Sequence, residues 1–238
     1  MKITCLVPAR NEQGHLAHVL RSIISIEKIS EVLIIEGGSE DDTYKEAIKL
    51  AKIYSGRVRV LKQPGKGKFD AVKWGAKYAK EEFLIIWDAD GTVPLNCTLA
   101  LINHAATTKR VTIGNRLAGE MEHGSMQFFN LIGNWFFAFA WFPILVSKPV
   151  DLLCGTKIVP TKIFSQIPTF VEKFDPYGDF SLLATVKACG YDIDFIPVDY
   201  QIRRYGSTNI RRWVGGIQLL ATTLAVYWWF FCKRVKRG

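Results

Sequence analysis

Two aspartates one residue apart, Asp88 and Asp90, stand directly after the apolar run Phe83-Leu84-Ile85-Ile86-Trp87, and Gly91 closes the stretch. Side chains two positions apart on an extended tip point to the same side. Two carboxylates held together repel unless a cation or hydrogen bonds lie between them. Hard oxygen donors of this kind suit Mg²⁺ or Mn²⁺ carrying a diphosphate. A plainer reading stays open at this point, because Asp-Gly is also ordinary turn chemistry at a strand end.

A second group is basic. Lys66 and Lys68 lie in Gln63-Pro64-Gly65-Lys66-Gly67-Lys68, a loop by composition. Two cations on a pliable backbone suit a diphosphate, whose charge must be matched, although a solvated loop has the same composition. Asp70 follows, placed to contact a ribose or to orient a lysine.

The elements that must position these groups read as alternating strands and helices. Buried strands are expected at 3–7, 32–35 and 83–87, an alternating strand at 57–61 and a fifth strand at 111–114. Helices are expected at 12–26, from 39 to about 54, at 69–80 and at 95–106. Ser39 reads as a helix cap with Asp41 and Asp42 in the first turn. This order predicts an α/β fold, a mostly parallel sheet with helices on both faces. Ligands then belong at the carboxyl ends of the strands, where Asp88 and Asp90 sit. Further on, a short helix is expected near 161–166, a helix at 178–189 and a strand at 193–198, followed by a basic loop at 200–212.

Two stretches break the pattern. Residues 124–147 and 213–232 carry no charge and are rich in Phe and Trp. In the first, Gln127, Asn130 and Asn134 recur at helical spacing and form one polar edge, and Pro143 is expected to break or bend the helix. Each stretch is about long enough to cross a bilayer, and each also reads as a core helix under the domain. Trp and Phe prefer the lipid interface, and the basic tail Lys233-Arg234-Val235-Lys236-Arg237 would attract anionic lipid. Arg211 and Arg212 precede the second stretch, so both its flanks favour the cytosolic side. Helices lying in the interface or re-entering it resolve that conflict. The expected organisation is a unit over 1–212, with an apolar insertion at about 124–147, followed by an apolar helix and polybasic tail over 213–238. The expected location is the cytoplasmic face of a membrane.

Composition agrees with an anionic partner. The 238 residues carry a formal net charge of +9 and are 49% hydrophobic, with a pI near 9.3 and a mean hydropathy of +0.10. The basic residues flank apolar segments rather than forming a separate stripe, so a nucleic-acid partner is not expected. The five scattered cysteines include no C-x-x-C pair, so reduced thiols in a cytosolic compartment fit best. No secretory signal is expected, because 3–7 is too short for one and Pro8 and Arg10 follow.

Taken in order, these residues resemble family 2 glycosyltransferases of the GT-A (Rossmann-like) fold. Val7-Pro8-Ala9-Arg10-Asn11-Glu12 is similar to the family's V-P-x-x-N-E opening. Ile35-Glu36-Gly37-Gly38-Ser39-Glu40-Asp41-Asp42-Thr43 is similar to its D-D-G-S-x-D-x-T segment. Asp88-Ala89-Asp90 matches D-x-D, and Gly114-Asn115-Arg116 resembles the G-S-R after the fifth strand. Asp151-Leu152-Leu153-Cys154-Gly155-Thr156-Lys157 resembles the D-x-x-x-G-[FT]-[RK] of the dolichyl-phosphate mannose synthase-like branch. Arg203-Arg204-Tyr205-Gly206-Ser207-Thr208-Asn209 is close to that branch's R-x-Y-G-x-S-K. The matches run from Ile3 to about Arg212.

The resemblance implies a metal-dependent hexosyltransferase that moves a sugar, with inversion, from a nucleotide-sugar donor to a polyprenyl or dolichyl phosphate. It implies Mg²⁺ or Mn²⁺ as cofactor. By motif position, Pro8, Arg10 and Glu12 lie along the nucleoside, and Glu36 replaces the Asp that reads the base. Asp88 faces ribose and metal, and Asp90 holds the metal on the diphosphate. Arg116, Lys157 and Arg203 are candidates for the acceptor phosphate. Asp179, in Tyr177-Gly178-Asp179-Phe180, aligns with the Asp of the family's E-D motif, where a base acts on hydroxyl acceptors; an Asp there also reads as a helix cap. Three departures stand out: Glu36-Gly37 for Asp-Asp, Thr92 where a longer side chain would reach the metal, and Asn209 for Lys. Two other readings compete: the same donor chemistry with a hydroxyl acceptor, and a non-catalytic module binding nucleotide sugar at a membrane. Self-association is compatible with either.

Overall fold

The computed structural model describes residues 1–145, 148–175, 177–203 and 212–235, with only the backbone for 212–214 and 233–235. Seven strands among them form one sheet: β1 (Ile3–Ala9), β2 (Ile29–Glu36), β3 (Val58–Lys62), β4 (Phe83–Ile86), β5 (Val111–Asn115), β6 (Lys157–Pro160) and β7 (Ile193–Pro197). Their order is β3-β2-β1-β4-β6-β5-β7. All pairings are parallel except those of β6, which runs antiparallel to β4 and β5.

The mostly parallel α/β arrangement is the expected one, and its cause is visible in β1, β2 and β4. These strands are buried on both faces, so each carries a continuous apolar run, Cys5–Val7, Val32–Ile35 and Phe83–Ile86, instead of alternating. Ile3, Cys5 and Val7 face one core with α1 (Leu16–Ile24), α2 (Thr43–Ile53) and α4 (Leu95–Thr108). Leu6, Leu33, Ile35, Leu84 and Ile86 face the other with α3 (Lys68–Ala76) and α8 (Asp179–Ala188). Leu, Ile or Phe buried in this way contributes roughly 1.5–3 kcal/mol each.

The first uncharged stretch folds as α5 (Phe128–Ala140) and α6 (Phe142–Leu145). The break falls where Pro143 was expected to make it, with the proline in the first turn of α6, where no N–H is required. The polar edge expected along α5 divides in two: Asn134 is buried, whereas Gln127 and Asn130 are exposed. A four-residue helix, α7 (Thr169–Glu172), precedes α8, and the second uncharged stretch is α9 (Arg212–Val235). Helix α9 packs along α8 and α7, with Val226 and Phe230 in the core. The tyrosine hydroxyl of Tyr227 donates to the Ala140 carbonyl, and Trp141 Nε1 donates to Thr223 Oγ1 at 3.2 Å.

Two local expectations change. Strand β6 was not anticipated, because its four residues begin with a lysine and end with a proline. Helix α2 begins at Thr43, and Asp42 at its N-terminus makes no side-chain cap. The acids and hydroxyls of 39–46 instead hold the neighbouring β1–α1 loop. Asn11 N donates to Ser39 Oγ, Glu12 N to Thr43 Oγ1 and Gln13 N to Asp41 Oδ2 at 2.8–3.2 Å, and Gly14 N donates to Glu46 at 2.7 Å.

Candidate active site

The carboxyl ends of β1, β2 and β4 open on one edge, and the polar motifs gather there. Asp88 and Asp90 follow β4, where the chain turns through Gly91 at φ +65°. The Lys68 ammonium bonds Asp88 Oδ1. Burial works to raise the Asp88 carboxyl, but the charge and hydrogen bond of Lys68, with the charges of Lys157 and Arg116, together outweigh it and hold Asp88 below the usual carboxylate range. Asp90 Oδ1 accepts from Thr92 N at 3.2 Å and Thr92 Oγ1 at 3.0 Å. Asp90 Oδ2 accepts from Arg203 Nη2 at 3.0 Å. Thr92, read as a short substitute for a metal ligand, therefore braces Asp90.

Arg203 also lies 3.6 Å from Glu12 Oε1, while Glu12 Oε2 is buried without a hydrogen-bond partner. Burial pushes the Glu12 carboxyl up to about 7, Arg203 opposes the shift, and the charges of Asp90 and Asp88 add to it. Three carboxylates thus feel one another across the site. Beneath them His15, which motif reading passed over, lies against Gly91. Burial lowers its pKa, so the ring is neutral near pH 7. Its sequence signal was its place three residues beyond Glu12 in a strand-end loop.

Backbone approach closes the other side. A Cβ at Gly155 would overlap the Asp88 carboxylate and the Lys68 ammonium, so only glycine admits the chain here. Gly178, at φ +82°, lies against the Phe69 ring in the same way. That contact leaves no room for the glutamate of an E-D motif.

The remaining expected residues separate into those facing the opening and those bonded internally. Arg10 and Lys66 are exposed at the rim and Pro8 is partly buried; Arg10 lies 3.7 Å from Glu40. Glu36 is buried and accepts from Ser39 N at 2.5 Å, closing the turn after β2. Asp70, read as a ribose or lysine contact, accepts from Gly65 N at 3.1 Å and shapes the basic loop.

Two residues expected at an acceptor phosphate are committed inside the protein. Lys157, 0% exposed, bonds Asp179 Oδ1 at 2.6 Å and the Cys154 carbonyl, as a buried ammonium must. Arg116 grips Asp151 through Nε at 2.5 Å and Nη2 at 3.0 Å and stacks on Tyr200 at 4.8 Å. Asp179, read as a base or a cap, is thus the partner of Lys157. The third, Arg203, lies with the carboxylates of Glu12 and Asp90. Residues 204–211, which include Arg204, Asn209 and Arg211, lie outside the described residues, as do the Arg212 side chain and the basic side chains of the tail.

Among the described residues, no three His, Cys, Asp or Glu side chains form a ready metal cage. The donor set still fits Mg²⁺ or Mn²⁺ that keep waters and share a diphosphate. Asp88 and Asp90 offer hard oxygens, and the unpartnered Glu12 oxygen marks a locus short of positive charge.

The sequence assigns this mostly parallel α/β fold, with its aspartate pair beyond β4, to a family. The family described as Glycosyl transferase family 2 matches residues 4–153, and the chain belongs to that family. Dolichyl-phosphate beta-glucosyltransferase of Mus musculus is 32% identical over 101 residues, 38% of this chain and 31% of that protein. The Trichomonas vaginalis dolichyl-phosphate beta-glucosyltransferase is 26% identical over 133 residues, 50% of this chain and 41% of that protein. The matched region is therefore less than half the length of either relative. Glucosyl-3-phosphoglycerate synthase of Mycobacterium tuberculosis, solved with Mn²⁺, UDP and glucosyl-3-phosphoglycerate, shares the fold. Its TM-score is 0.67 at 14% identity, over 94% of this chain and 79% of that one.

Proposed function

We propose that the chain is a hexosyltransferase that moves a sugar from a nucleotide-sugar donor to a lipid-linked polyprenyl or dolichyl phosphate, at the cytoplasmic face of a membrane. The observation that carries this reading is the gathering of Asp88, Asp90 and Glu12, beyond β4 and β1, with Lys68 and Arg203. Opposite charges there match both a divalent cation and a diphosphate. The names of the two dolichyl-phosphate relatives support the lipid phosphate and make glucose the first sugar to test.

In this reading an acceptor phosphate oxygen attacks the anomeric carbon as the bond to the nucleoside diphosphate breaks, with inversion. Mg²⁺ or Mn²⁺, when bound, neutralises charge developing on the diphosphate. Asp90 and Asp88 would hold it, and Lys68 and the exposed Lys66 would meet the phosphate oxygens. Pro8, Arg10, Glu12 and Glu36 would line the nucleoside. Asp179, tied to Lys157, would orient rather than accept a proton, which agrees with an acceptor already ionised at neutral pH.

Membrane attachment is supported by exposed rings. Phe128 is 70% and Trp228 65% exposed, and Phe129, Phe136 and Phe139 of α5 are open as well. Among the described residues one helix, Gly215–Cys232, is long and apolar enough to cross a membrane. Its packing along α7 and α8 favours seating in the interface. The functional unit would be 1–212, with α5 and α6 as its inserted interface segment and α9 as an appended one.

The test is transfer from UDP- or GDP-sugars to a polyprenyl phosphate with Mn²⁺ or Mg²⁺. Asp90→Ala is expected to lower kcat at least a hundredfold with the fold intact by circular dichroism; full activity would remove the metal role. Asp179→Asn should keep appreciable transfer to a phosphate acceptor. Its complete loss, with the fold intact by circular dichroism despite the altered partner of buried Lys157, would favour the hydroxyl-acceptor reading.

A further inference from the structure

The oxygens that a divalent cation would take are already bonded to two basic side chains. Lys68 holds Asp88 Oδ1, and Arg203 holds Asp90 Oδ2 at 3.0 Å while reaching to 3.6 Å from Glu12. Asp90 Oδ1 is taken by Thr92, and the remaining oxygen, Asp88 Oδ2, faces the Gly155 backbone. Neither cation is a surface ornament. The Lys68 and Asp88 side chains are about one-third exposed and Arg203 is 28% exposed, so neither pair is fully screened by solvent.

We propose that Lys68 and Arg203 act as exchangeable counter-ions that make metal binding conditional on the donor diphosphate. This rests on the donor reading above. A divalent cation arriving alone must break two charge-assisted bonds and then lie beside two stranded positive charges. A diphosphate arriving with it gives both side chains new oxygens to bond, so the same carboxylates are released without loss. The affinities of metal and nucleoside diphosphate are therefore coupled, and by linkage each raises the other by the same factor. Lys68 is suited to the exchange: it is the first residue of α3, follows Gly67 at φ +91°, and its ammonium is a point charge on a flexible stem. Arg203 is freed in the same event, and its fork geometry suits a second phosphate.

The experiment is Mn²⁺ binding to the full chain, read by electron paramagnetic resonance and calorimetry, alone and with saturating UDP or GDP. For the unaltered protein, Mn²⁺ alone should bind weakly and the nucleotide should tighten it at least tenfold. Lys68→Met keeps the side-chain length and removes the charge. It should bind Mn²⁺ alone about tenfold more tightly, in line with the loss of one competing charge-assisted bond, and should lose most of the nucleotide effect. Arg203→Gln, measured in parallel, should do the same, so the test survives if one variant folds poorly. If Mn²⁺ and nucleotide bind together but neither variant tightens Mn²⁺ alone, the counter-ion inference falls and the donor reading stands. If no metal or nucleotide binds under any condition, both fall.

Discussion

Glu12 shows how much one buried oxygen can report. Its carboxyl titrates near 7 because burial, with Asp90 and Asp88 beside it, disfavours the charged form. The folded-state pKa lies above the unfolded value of 4.5, so the folded chain holds the extra proton between the two. That contribution is complete below about 4.5 and is lost as the pH rises through about 7. Glu12→Gln should therefore melt above the unaltered protein at pH 8, and the difference should shrink by pH 5. Its size is at most about 3 kcal/mol, and thermal melts across pH measure it. Saturating Mn²⁺ with nucleotide should reduce the difference at pH 8, since a cation near the carboxylates stabilises the ionised form. The places of Asp88, Asp90 and the basic loop were legible in sequence because strands are readable as apolar runs and a parallel sheet brings the loops at their carboxyl ends together, whereas Glu12 was singled out only by its place in the family motif. Their partners were not legible. The arginine placed by motif at an acceptor lies on Asp90, a pairing 113 residues apart that no local pattern encodes.

At the scale of elements, the strands and helices of the first half follow from periodicity, but the role of polar residues on apolar helices does not. On α5, Asn134 Nδ2 donates to Asp151 Oδ1 at 2.9 Å. Asp151 is fully buried and also accepts from Leu153 N and Arg116. Burial would raise this carboxyl, yet Arg116, Asn134 and Leu153 together keep it below its ordinary range. The insertion is thus hydrogen-bonded to the strand-end region by one amide. Asn134→Ala is expected to destabilise the protein by about 1–3 kcal/mol, the cost of removing a donor from a buried charge, whereas exposed Asn130→Ala should stay within about 0.5 kcal/mol. Chemical denaturation measures both. Three amides at helical spacing looked alike in sequence; only the burial of Asn134 against Asp151 distinguishes the one that matters. Strand β6 was hidden for a related reason, since the partner that allows Lys157 into a sheet interior, Asp179, arrives with a later helix.

For the whole molecule, net charge and exposed aromatic rings point to the same surface chemistry. If α5 seats in a lipid interface, each Phe removed should cost roughly 1.5–3 kcal/mol of partitioning. Phe128→Ser combined with Phe129→Ser should then lower flotation with anionic phospholipid vesicles at least tenfold, while leaving the melting temperature unchanged because both rings are outside the core. Undiminished flotation would remove α5 from the contact.

The antiparallel strand β6 has a consequence for how the chain is made. It lies between β4 and β5 and joins β5 and β7 to the four strands on the other side, yet it is synthesised after both apolar helices α5 and α6. Until it emerges, the nascent chain holds a parallel half-sheet with an open edge at β4, beside a solitary β5 and two greasy helices. Such unpaired edges are aggregation-prone, so the interval between translation of β5 and of β6 is where this protein is most vulnerable to misassembly and most dependent on being shielded.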